Sequence, residues 1–97
     1  MSVEVRCESV AAGWTCTVRV DDGDGAPTTH IVNVAGPDLA RLAPEAADPM
    51  DLVARSFDFL LAREPKTSIL GRFDLMVIAR YFPDYEATIR RYDPRDV

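Results

Sequence analysis

Apolar and polar side chains take turns over residues 3–10 and again over 14–20, as they do in strands with one buried face. A hairpin turning through "VAAG", with Ser9 facing Trp14, sorts both segments at once. It sets Cys7 opposite Cys16, Val5 opposite Val18 and Val3 opposite Val20 on one face. Glu8 then faces Thr15, Arg6 faces Thr17 and Glu4 faces Arg19 on the other, so an opposite-charge pair falls on the wet side. Gly13 is expected to supply the left-handed residue that closes such a turn. A polar loop, "DDGDGAP", leads to a third strand over 28–34, where His30, Val32 and Val34 point one way and Ile31 and Asn33 the other.

Beyond residue 36 the period changes from two to that of a helix. Pro37 suits the first turn of a short helix over 38–42, and Asp48 followed by Pro49 is a strong start for a longer one over 49–64. That helix carries an apolar stripe of Val53, Phe57, Leu60 and Leu61, with Asp51, Arg55 and Asp58 on a solvated strip. Pro65 ends it. A second helix is predicted over 68–82, capped by Thr67 or Ser68. Gly71, a poor interior residue, leaves its continuity through "TSILG" open. Tyr85, Ile89 and Tyr92 fall at i, i+4 and i+7 and predict a short terminal helix. The expected fold class is α+β, a single domain over 1–97. A three-stranded antiparallel meander (3–34) is followed by two to three helices packed on one sheet face (49–92).

Between Ile69 and Phe82, ten of fourteen residues are apolar, which leaves a helix over 68–82 without a wet face. A three-stranded sheet and two neighbouring helices are too small to enclose all of it. A partner surface, most simply a second copy of the chain, is the expected cover, through Phe73, Met76, Val77, Phe82, Tyr85 and Ile89.

Composition narrows the partner further. The net charge of −5 over 97 residues argues against nucleic acid and against an anionic membrane surface. Ten of the eleven basic residues are Arg, the composition expected of GC-rich bacterial coding. "MSVEVRCES" runs straight into a strand pattern without a charged and then apolar leader, so the cytoplasm is the expected location. In that compartment Cys7 and Cys16 are expected to be reduced core thiols, although they face each other across the hairpin.

Candidate chemistry is sparse. No nucleophile or base is tied by spacing to His30, the single histidine, and a packed strand residue is the expected reading. "DDGDG" lacks the ligand ladder and closing Glu of a calcium loop. No catalytic residue, metal ligand or cofactor is therefore assigned. "REPKTS" carries more: Arg63, Lys66, Thr67, Ser68 and Arg72 surround the expected N-terminus of helix 68–82, where free amides and the helix dipole favour a phosphate or carboxylate. Tyr81, Phe82, Tyr85 and Tyr92, with Arg90 and Arg91, fall at core-packing intervals rather than as a base-stacking platform.

The run "SFDFLLAREPKTSIL" followed by "FDLMVIARYFPDYE" resembles a family of small bacterial proteins without assigned function, over about residues 50–86. The resemblance brings no activity with it. The order of three strands and then helix is also distantly similar to the HicB-like antitoxin domain. "DDGDGAP" replaces that family's proline- and glycine-rich stretch, and an apolar helical pair replaces its single amphipathic helix. The function expected is non-catalytic action through protein–protein contact as a homodimer. The alternatives are a small-anion binder at 63–72 and, from the resemblance, an antitoxin-like regulator.

Overall fold

The structure is a computed structural model of the chain and describes residues 1–91. Among these residues the order is β1 (Ser2–Val10), β2 (Gly13–Asp21), β3 (Thr28–Ala35), α1 (Gly36–Leu42), α2 (Met50–Leu61), a 3₁₀ turn (Lys66–Ser68), β4 (Arg72–Asp74), α3 (Val77–Tyr81) and α4 (Tyr85–Arg91). The class is α+β. The first three strands form an antiparallel meander, and β4 joins β3 in parallel to complete a mixed sheet of order β1-β2-β3-β4.

The hairpin has the register that alternation predicts: Ser9 faces Trp14, Cys7 faces Cys16, Val5 faces Val18 and Val3 faces Val20. Its pairing runs one step further, to Val10 and Gly13, so the turn proper is Ala11–Ala12. What position 13 demands is space: a Cβ there would lie 2.1 Å from Val34 O and 2.8 Å from Gly36 N. Gly36 N also donates to Ala12 O at 3.0 Å, which fastens the start of α1 to the hairpin.

The two cysteines, expected as thiols, are joined instead, in a Cys7–Cys16 disulfide with Cα atoms 4.0 Å apart. The geometry follows from the register. Strand partners that do not exchange backbone hydrogen bonds bring their side chains closest together. Cys16, Val18, Val20, Val32 and Val34 line the buried sheet face, against Leu52, Val53, Phe57 and Leu60 of α2. Each such side chain, fully buried, contributes roughly 1.5–3 kcal/mol. Arg55, on the polar side of α2, pairs with Asp51 at 2.9 Å as the i,i+4 spacing predicts. The helix ends at Leu61, and Asp48 Oδ1 accepts from Met50 N at its start.

The predicted helix over 68–82 does not form. Its place is taken by the 3₁₀ turn, an extended passage, β4 and the five-residue α3. Ile31 N donates to Gly71 O at 2.8 Å and Leu75 N to Asn33 O at 2.9 Å, so the segment satisfies its backbone against β3. Physically, Arg72-Phe73-Asp74-Leu75 alternates polar and apolar with period two, and Phe73 and Leu75 are buried while Arg72 and Asp74 are exposed. A parallel pair needs a long crossover, and α1 and α2 supply it. The apolar content of 68–82 is only partly enclosed by this arrangement: Met76, Val77 and Phe82 are half-buried, and Leu70 and Tyr81 are exposed. Phe73, Leu75, Ile78, Tyr85 and Ile89 are all buried within the chain.

Candidate functional site

The anion-binding set does not converge. Lys66, 4% exposed, turns away from solvent, and its ammonium donates to Asp22 Oδ1 and Asp24 O. It thereby organises the 21–25 loop. Asp21 Oδ1 accepts from Gly23 N at 3.0 Å and Asp22 Oδ1 from Asp24 N at 2.9 Å. The Lys66 hydrogen bond, reinforced by the Asp24 amide, holds the Asp22 carboxyl below its usual range. Arg63 stacks on Phe59, 3.5 Å from the ring centroid, and donates to Phe59 O at 3.0 Å and to Asp84 at 3.3 Å. Thr67 and Ser68 are exposed on a single 3₁₀ turn, and Arg72 is exposed on β4. The N-terminus of a long helix, on which the anion reading depends, is absent here.

Two buried polar groups lock the core. His30 Nδ1 lies 2.7 Å from Leu70 O and Nε2 lies 2.8 Å from Thr28 Oγ1, with the ring 5.3 Å from that of Phe57. A carbonyl only accepts, so Nδ1 carries a proton, and the packed-residue reading matches this placement. Ser56 Oγ donates to Leu52 O at 2.8 Å, and the Tyr85 hydroxyl lies 2.7 Å from the same oxygen. The serine proton is committed to the carbonyl, so the tyrosine donates. Burial pushes the Tyr85 hydroxyl up to about 12 despite this bond.

Of the six residues expected at an interface, Phe73, Tyr85 and Ile89 face inward, and Met76, Val77 and Phe82 are half-buried. Tyr92, the third member of the terminal helix pattern, lies outside the described residues. Phe73, Val77 and Phe82 line an open apolar groove of about 370 Å³ between the end of α2, the 69–73 segment and α3. Leu60, Ile69 and Ile78 complete its floor. Leu70 and Tyr81 stand on its rim, 49% and 69% exposed, and Glu64 is the one carboxylate among the described lining side chains. Sequence reasoning missed the rim because a helical reading of 68–82 places Leu70 and Tyr81 in one apolar mass. Alternation over 72–75 is the trace of the strand, and it spans too few residues to outweigh the apolar run around it. A second, wider depression of about 430 Å³ lies over the hairpin turn, where Trp14, Asn33, Asp74 and Arg80 mix ring, amide and charge. No described helix is long and apolar enough to cross a membrane.

Comparison with family models, with curated proteins and with solved structures finds no match. The groove is therefore read from its own geometry.

Proposed function

We propose that the protein is a non-catalytic protein of bacterial type that acts through protein–protein contact, as a homodimer. The observation that carries the protein–protein part of this reading is the groove. It sets two large exposed apolar side chains, Leu70 and Tyr81, on the rim of an apolar floor with a single carboxylate among its described lining residues. Such a surface takes apolar side chains of another protein and offers little to a charged small molecule.

Two measurements test it. Light scattering at micromolar concentration is expected to give twice the chain mass, and a monomer up to about 100 μM overturns the homodimer. A displayed panel of amphipathic peptides is expected to yield binders that Leu70→Asp abolishes at unchanged Tm. Binders insensitive to that substitution remove the groove from the reading.

A further inference from the structure

We propose that two copies of the chain join through the outer edge of β1, antiparallel and in the register that centres on Val5. This rests on the homodimer reading and leaves the groove free for a different partner.

The edge is open and its hydrogen-bonding groups can be assigned. A two-residue turn makes Val10–Gly13 the first hydrogen-bonded pair of the hairpin, and such pairs alternate with non-bonded ones. Glu8, Arg6 and Glu4 therefore bond inward to β2, whereas Ser9, Cys7, Val5 and Val3 direct their N–H and C=O groups outward. The 4.0 Å Cα separation of Cys7 and Cys16 independently fits a non-bonded pair. Among the described residues, no backbone hydrogen bond from another element reaches this edge.

The usual protections of an edge are missing. β1 is nine residues long, contains neither Pro nor Lys, pairs with β2 without a bulge, and sends its charges to the wet face rather than inward. On the core side Val3, Val5 and Cys7 are only half-buried, a row of apolar side chains that ends at the edge.

Charge selects the register. With Val5 opposite the partner's Val5, Glu4 stands opposite the partner's Arg6 and Arg6 opposite the partner's Glu4. Val3 meets the partner's Cys7, which extends the apolar row across the two-fold axis. Roughly six inter-chain hydrogen bonds form, and both charge pairs fall at the non-bonded positions where side chains approach most closely. Centring on Arg6 sets Arg6 against itself and Glu4 against Glu8. Centring on Cys7 pairs Arg6 with Glu8 but leaves Val3 without an opposite number. Odd shifts send the apolar row to the wet face. The Val5 register is the one that satisfies charge and apolar burial together.

Sedimentation equilibrium on the full oxidised chain tests this, with circular dichroism and Tm recorded for each variant. Val5→Pro removes an N–H that bonds nothing within the chain, so a folded monomer is expected. Should that variant unfold, Arg6→Glu carries the test, weakening the dimer about tenfold or more, with Glu4→Arg added in the same chain restoring it to within about threefold. Restoration by Glu8→Arg instead overturns the register. A wild-type dimer indifferent to both Val5→Pro and Arg6→Glu overturns the edge while the homodimer stands. A wild-type monomer overturns both.

Discussion

Replacing Ser56 with Ala leaves the Tyr85 hydroxyl buried beneath α2 without a partner among the described residues, because its one hydrogen bond among them runs to Ser56 Oγ. An orphaned buried donor costs about 1–3 kcal/mol, set against a small gain in helix propensity at position 56. The expected loss is about 2 kcal/mol, roughly 10 °C in Tm for a domain of this size. Tyr85→Phe removes the donor itself. Ser56 keeps its bond to Leu52 O, so this loss is about 1 kcal/mol. The double variant should fall close to Tyr85→Phe alone, since nothing then remains to be orphaned. Urea unfolding of all four proteins closes the cycle. Losses that simply add, to about 3 kcal/mol in the double variant, refute the coupling. The same group sets an alkaline limit. A phenol at about 12 when folded and near 10 when unfolded stabilises the fold fully below pH 10, and that contribution is lost as pH rises from 10 towards 12. The loss is about 2–3 kcal/mol, and Tyr85→Phe should not show it.

Reducing the Cys7–Cys16 bond, or replacing both residues with Ser, should cost about 2–3 kcal/mol, given the nine-residue separation it closes; Tm with and without dithiothreitol measures this. Gly13→Ala places a methyl group 2.1 Å from a backbone oxygen that cannot withdraw, so a loss of about 3 kcal/mol or more is expected in the urea midpoint. Lys66→Met should release the 21–25 loop, read as faster hydrogen exchange at the Gly23 and Asp24 amides. It should also flatten stability below pH 4. The depressed Asp22 carboxyl contributes above its unfolded value of 3.8, and that contribution is lost as pH falls through its lower folded value.

How much of this was legible depends on the element. The β1–β2 register was readable pair by pair, because alternation with a two-residue period allows one alignment that keeps the valines together. The stripe of α2 was readable for the same kind of reason: Val53, Phe57 and Leu60 recur at helical spacing between Asp48 and Pro65, two strong boundaries. β4 was not. Three residues are too short to announce a period against the apolar residues on either side, and the partner that stabilises them, β3, lies forty residues away. A helix with no wet face is itself a sign that the period changes at Phe73. The disulfide illustrates another limit: facing positions follow from register, whereas bonding depends on redox surroundings that the register does not encode. The groove was half legible. Phe73, Val77 and Phe82 stand out in the sequence, but which apolar side chains stay outside depends on the break at Gly71.

The parallel pairing of β3 with β4 also bears on how the chain assembles. Ile31 and Arg72 are partners separated by forty-one positions, whereas the hairpin closes across two. Loop-closure entropy delays the distant pair until α1 and α2 have spanned the gap. A refolding chain therefore holds its hairpin early and acquires the groove last, since the groove walls depend on 69–73 docking beside β3. The groove is thus expected to be a late product of folding, and any species that has not completed that final step lacks it.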